Sequence, residues 1–198
     1  MCDSPCPAPA RPSARDRILH TAQALFYQHG IRGTGIDRII AEAGVTKVTF
    51  YRHFPSKDDL IRASLEQRHT TWTAWFRDAL HSSRAAQTEE ERRTAPLAPV
   101  LDAARAWFAS ADFRGCAFAN TIAEAGPALS GITGIAARHK QEVCEAIAAL
   151  LPAADAAPAI AWAATVALDG AAVNAQLSPP SADAALAGLG DLLRALER

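Results

Sequence analysis

Apolar residues recur every three to four positions along most of the chain, and no stretch alternates apolar and polar at period two. That pattern predicts an all-α fold of about nine helices. The first covers residues 14–29: Ser13 and Asp16 cap it, Ile18, Leu19, Ala22, Leu25 and Phe26 form its buried stripe, and Gly30 ends it. Thr34, with Asp37 three residues on, reads as the N-cap of a second helix carrying Ile36, Ile39, Ile40 and Ala43. Gly44 stops it with a backbone conformation that a Cβ disfavours. Val45 plugs the turn, and Thr46 caps a very short third helix running to about Phe54. Two helices joined by a tight Gly-containing turn make a helix-turn-helix.

Ser56 and Asp59 cap a long fourth helix to about residue 82, striped by Ile61, Leu65, Arg68, Trp72, Phe76 and Ala79. A polar loop with Glu89, Glu90 and Glu91 follows, over residues 84–99. Further helices are predicted at 97–110, 116–125, 130–151, 155–177 and 181–197. Gly126-Pro127 closes the sixth, and Pro179-Pro180 separates the eighth from the ninth.

The third helix has the wrong composition for a core helix. Phe50 and Phe54 share one face and anchor it inward, while Val48 and Arg52 point most nearly away and Thr49 and Tyr51 flank them. Lys47 opposes the helix dipole in the first turn, a placement that favours an external anion such as phosphate. Outward donors, a methyl-bearing Thr and a Tyr suit a DNA major groove. The competing reading is a capped surface helix with a solvated basic face.

Residues 15–65 resemble the DNA-binding domain of the tetracycline-repressor (TetR) family of transcriptional regulators. The matching run is AEAGVTKVTFYRHFPSKDDL, residues 41–60, in which AGV, T-x-Y-x-x-F and SKDDL fall in family order. The resemblance implies that Lys47, Val48, Thr49, Tyr51 and His53 face an operator, that Lys57 meets a phosphate, and that Thr34 or Gly35 contacts the DNA backbone. With Thr46 and Arg52, these form the expected DNA-binding set. Gly35 stands where a hydroxyl residue is common, and Ile40 where Ala is common. Beyond about residue 70 the resemblance is one of layout. It implies a tail over residues 1–12, a three-helix DNA-binding domain over 13–56, and a helical effector-binding and dimerisation domain over 57–198.

Composition fits that division. Residues 11–70 carry ten Lys/Arg against six Asp/Glu, a net of +4; residues 71–198 carry ten against fourteen, a net of −4. No run of 18 apolar residues exists, and the N-terminal MCDSPCPAPARPS lacks the basic and apolar regions of a secretion signal, so a cytoplasmic protein with a Pro/Ala-rich disordered tail is expected. Cys2-x3-Cys6 has no partner ligands at finger-like spacing, and no metal or cofactor is expected.

The central helices carry Trp72, Trp75, Phe76, Trp107, Phe108 and Phe118, an aromatic lining suited to a small apolar ligand, with Asn120, Thr121, Glu124 and His139 as polar members. Plain core packing is the alternative. The last two helices bear stripes of Trp162, Val166, Gly170, Val173 and Leu177, and of Leu186, Leu189 and Leu193. Either these pack within one subunit, or, as the family layout implies, they build a homodimeric four-helix bundle. Cys116, at a helix start after Arg114-Gly115, is either a small buried residue or a redox-sensing thiol. No GxSxG, P-loop, HExxH or GxGxxG is present, so no catalytic residue is expected. The expected function is a repressor released from operator DNA by a small apolar effector. An effector-independent architectural DNA-binding protein and a thiol sensor are alternatives, and a small helical enzyme is the least favoured.

Overall fold

The computed structural model describes residues 12–126 and 129–198, so Cys2, Cys6 and the expected tail up to residue 11 lie outside the described residues, as does Pro127. The fold is all-helical, with ten helices among the described residues: α1 (Ala14–His29), α2 (Ile36–Ala43), α3 (Lys47–His53), α4 (Lys57–Ala86), α5 (Glu89–Thr94), α6 (Ala98–Phe108), α7 (Ala117–Ala125), α8 (Ile132–Ala148), α9 (Ala157–Ala175) and α10 (Pro179–Leu196). They fall into two compact units that divide within α4, between Ser64 and Leu65.

In the small unit, α1 starts where the Ser13 hydroxyl accepts the Asp16 N–H at 3.1 Å. Gly44 takes φ +62° and lets the chain reverse, its N–H donating to Ala41 O at 3.3 Å. The Thr46 hydroxyl then accepts the Thr49 N–H at 3.2 Å and opens α3. Three short helices can bury little surface singly, so their stripes converge. Ile18, Leu19, Leu25, Ile39, Phe50 and Leu60 meet in one core, with Ile36, Ile40 and Val45 packed partly buried against it.

The large unit packs α9 against α8 and α10, and α6 against both α9 and α10. Ala161, Ala164, Ala171, Ala172 and Ala175 are buried along α9, and their small side chains permit close helix approach. Phe76, Leu97, Val100, Ile132, Ile147, Leu168 and Leu189 are its larger fully buried residues.

Three expectations need correction. The stretch after residue 84 is not wholly loop, because α5 forms on a reciprocal Thr88–Glu91 capping box. Pro179 and Pro180 do not separate helices; they begin α10, with Ser178 as its N-cap. A proline costs nothing in a first turn whose N–H groups have no helical partner. Thr34 does not cap α2. Gly35 does, and the Thr34 hydroxyl instead donates to Gly30 O at 2.8 Å, just past the end of α1.

Candidate functional site

The outward face of α3 is the first candidate surface. Phe50 and Phe54 are buried, with ring centroids 6.4 Å apart, and the Arg15 guanidinium lies 5.3 Å from the Phe54 ring centroid. Anchoring on one side leaves the other exposed. Val48 is 80% exposed and Tyr51 41%, and Lys47 and Arg52 are exposed beside them. The Lys47–Asp37 approach of 3.9 Å between two exposed groups contributes little and leaves the cation available. Thr49 and His53 are half-buried, and the Thr49 hydroxyl sits 2.9 Å from that of Thr46.

Two expected phosphate contacts look different in place. Thr34 is completely buried, so its side chain has no access to a backbone phosphate. Exposed Gly35 has open space where a Cβ would lie, and no side chain caps α2. The first-turn N–H groups are thereby left for solvent or an external acceptor. Lys57 donates from Nζ to Ile31 O at 2.6 Å, clamping the turn after α1. Lys57→Met keeps the stem and deletes this charge-assisted bond. It is expected to destabilise the small unit by about 1.5–3 kcal/mol, read from the urea midpoint.

The second candidate is a narrow cleft in the large unit, with room between its walls for about one water molecule. Trp72 of α4, Trp107 of α6, Phe118 of α7 and His139 of α8 line it, as expected from the sequence. The His139 ring stacks on Phe118 at 3.8 Å, and Trp72 meets His139 and Trp107 edge-on at 5.1 and 5.2 Å. The other expected effector residues stand outside its walls. Phe76 is buried behind Trp72, stacked at 4.9 Å, and Phe108 packs beside Trp107. Trp75 is 37% exposed. Asn120 donates from its amide to Arg114 O at 2.8 Å. Thr121 is buried on α7, and Glu124 is half-buried on the same helix.

Charge enters this cleft from Arg68, which stood in the predicted stripe of the fourth helix, and from two residues that periodicity did not mark, Lys140 and Asp169. Arg68, Lys140 and Asp169 line it, with Cys116. Lys140 pairs with Asp169 and also donates to Cys116 Sγ at 3.6 Å. Burial opposes the Lys140 charge, yet Cys116 and Asp169 outweigh it and raise the lysine pKa. His139 goes the other way: burial first, then the charges of Lys140, His69 and Arg68, lower it to about 3. Near neutral pH it is therefore an uncharged ring, 3.4 Å from His69 between the Nδ1 atoms. His69 in turn meets Glu142 at 3.1 Å, and Arg77 donates to the same carboxylate at 2.8 Å. Asp169 was legible in one respect: it is the single charged residue in the apolar run of α9, and a lone acid there asks for a buried partner.

The third candidate is an apolar stripe. Trp162, Val166, Val173 and Leu177 are 50–72% exposed, and Gly170 is exposed among them. On α10, Leu189 and Leu193 turn inward and are buried in their own subunit, and Leu186 is half-buried. Leu192, 54% exposed, takes the outward place. A groove between α9 and α10, floored by Gly170, Gly188 and their neighbours, runs beside these residues. Among the described residues, no group of His, Cys, Asp or Glu is placed to hold a metal, and no helix is long and apolar enough to cross a membrane.

Comparison with known proteins gives one consistent answer. The family model described as "Bacterial regulatory proteins, tetR family" matches residues 18–64. The HTH-type transcriptional regulator TtgR of Pseudomonas putida is 34% identical over 77 residues, 39% of this chain and 33% of that protein. The chain thus matches about a third of the length of such curated relatives. Among solved structures, SCO4454, a TetR-family transcriptional regulator from Streptomyces coelicolor, is 32% identical. The match covers 93% of this chain and 96% of that one, with a TM-score of 0.75. The TetR-family regulator CifR, solved with a 26-base-pair double-strand operator DNA, shares the fold at 21% identity and a TM-score of 0.73, over 94% of this chain and 99% of that one. On the strength of the full-length match to SCO4454, joined to the family match over the helix-turn-helix, the chain belongs to the TetR family of transcriptional regulators.

Proposed function

We propose that this protein binds a near-palindromic operator as a homodimer, represses transcription from it, and is released by a small effector held in the aromatic cleft. The observation that carries the DNA-binding part is α3: a helix pinned by Phe50 and Phe54 that exposes Lys47, Val48, Tyr51 and Arg52 together. An apolar Val 80% exposed beside two cations is a poor solvated surface and a good partner for a base edge carrying a methyl group. Lys57 and the N–H groups at the start of α2 supply sequence-blind positioning contacts. Dimerisation is supported by the exposed stripe on α9 and Leu192 on α10, because a contiguous apolar face of this kind marks an interaction surface.

Effector coupling is supported by the course of α4, which carries Lys57 in the small unit and Trp72 in the large one. An effector weakens DNA binding only by its preference for the DNA-incompetent arrangement, and operator must weaken effector binding by the same factor. Selection of bound duplex from a random pool tests the reading. The expected winners are inverted repeats whose half-sites lie about one helical turn, roughly 34–36 Å, apart. Single half-sites bound at full affinity by a monomer would overturn it.

A further inference from the structure

We propose that the effector is a phenol whose hydroxyl oxygen accepts the Trp72 indole N–H and whose O–H donates to His139 Nε2, with its ring against Trp107 and Phe118. The inference rests on the reading of this cleft as the effector site and names the chemistry it takes. Three observations carry it. First, the Trp72 indole nitrogen is buried and has no hydrogen-bond partner among the described residues. A buried N–H without an acceptor costs stability, and a ligand that brings an acceptor recovers that cost on binding. Second, a relay of hydrogen bonds fixes His139 as an acceptor. Burial opposes the Glu142 charge, yet Arg77 and His69 outweigh it and hold the carboxyl below its usual pKa. The ionised carboxylate only accepts, so His69 donates to it from Nε2 at 3.1 Å. A neutral imidazole carries one N–H, which leaves a lone pair on His69 Nδ1. The 3.4 Å contact between the two Nδ1 atoms then takes its proton from His139. His139 is itself uncharged and has no second proton, so its Nε2 is a bare acceptor. Nδ1 is turned to His69, which is not a wall of the cleft, and the Nε2 edge of the ring is left for the cleft. Among the described residues Nε2 meets no hydrogen-bond partner, in a side chain that is buried. Third, the space between the walls is that of about one water molecule. One hydroxyl is the smallest group that both accepts and donates, and it fits that space.

The same pair of groups disfavours other ligands. An aryl ether or ketone would answer the Trp72 N–H and leave Nε2 unpaired, and a carboxylate or phenolate oxygen would set its lone pairs against that of Nε2. Trp107, Phe118 and the Phe118-stacked His139 ring offer flat faces to the aromatic part of the ligand. Because the free space is that of one oxygen, the ring enters only as Trp107 or Phe118 gives way. Ligand binding is thereby tied to a movement of α6 or α7, which carry them.

Calorimetric titration of the full chain at about pH 8, where an ordinary imidazole is neutral and a phenol still holds its proton, tests this. The probes are phenol, 2-naphthol and 4-phenylphenol, each beside its methyl ether. For at least one ring system, the phenol is expected to bind about tenfold tighter than the ether. Trp72→Phe retains a ring and deletes the N–H, and is expected to weaken phenol and ether alike by about tenfold. His139→Phe retains a ring to stack on Phe118 and deletes the acceptor, and is expected to narrow the phenol-over-ether preference to below about threefold. Nitrogen NMR of the histidine-labelled protein reads the relay without any substitution. The His139 proton is expected on Nδ1, and its Nε2 resonance is expected to shift with the tightest-binding phenol and not with the matching ether. Equal affinity for phenol and ether in the unaltered protein, no phenol binding in any ring system, or a His139 proton on Nε2 would each overturn the proposal. Operator affinity with and without the phenol separates it from the function it rests on. A phenol bound with the stated selectivity that leaves operator affinity unchanged overturns the effector reading and keeps the ligand class. Operator release by an ether that binds as tightly as its phenol does the reverse.

Discussion

Val166→Glu combined with Val173→Glu is expected to convert the protein to a monomer and lower operator affinity on the order of a thousandfold. Both residues are more than half exposed in the single chain, so neither substitution disturbs the subunit's own core. They lie with Trp162 on one line along α9, at the 3.6-residue period that keeps side chains on one face, and Leu177 is exposed just beyond the helix end. Bringing two such faces together in a dimer would bury four carboxylates, each costing several kcal/mol to desolvate without a partner. A monomer then reaches one half-site, and its affinity falls from the roughly 10⁻⁸–10⁻¹¹ M of a specific dimer toward the 10⁻⁴–10⁻⁶ M of non-specific binding. Sedimentation velocity reads the first effect and fluorescence anisotropy with labelled operator the second. Unchanged helix content by circular dichroism is the control that separates lost dimerisation from unfolding. A dimer that survives both charges would place the interface elsewhere.

Local rules made much of this protein legible, and long-range satisfaction made the rest opaque. The helix-turn-helix was readable because each of its parts is local: Ser13, Gly44 and Thr46 act within four residues of themselves. Thr34 misled for the complementary reason. Thr-x-x-Asp reads as a capping box, but the buried hydroxyl donates back to Gly30 O and Leu25 O, and a sequence pattern does not say whether a Thr hydroxyl will accept a helix N–H ahead or donate to a carbonyl behind. Helix α5 was overlooked because none of its residues is buried, so it has no apolar stripe to find. Its stability rests on the Thr88–Glu91 box and an Arg93–Glu90 pair at 2.8 Å. In the cleft, periodicity found the aromatic walls and Arg68 but not Lys140 and Asp169, because those two come from α8 and α9 and only tertiary packing brings them to it. On α10 a leucine repeat marked Leu189 and Leu193, yet an Ala-rich helix carries too little contrast to say which leucines face their own core. Leu192 is the one left outward.

Phe50→Ala is expected to abolish operator binding while leaving the dimer and the cleft intact. Phe50 is fully buried between α1, α2 and α3, its ring 5.2 Å from Tyr51 and its neighbours Ile18, Leu19, Leu25 and Ile39 all buried. Truncating such a side chain costs about 3–5 kcal/mol, from lost transfer energy and the cavity left behind. A unit of some fifty described residues has a total stability of about 2.5–8 kcal/mol, so this one change removes a large share or all of it. The loss falls on the small unit because Phe50 belongs to that unit's core. Circular dichroism should show a partial loss of helix, sedimentation an unchanged dimer, and anisotropy no specific complex. Val48→Ala, two residues away and 80% exposed, is expected to do the opposite: stability within about 0.5 kcal/mol of the parent and a relaxed preference at one or two base positions. The pair separates the face that holds α3 from the face that reads. Full operator affinity in Phe50→Ala, or a stability loss without altered base preference in Val48→Ala, would mean that the two faces are exchanged and the proposed DNA-binding surface is wrong.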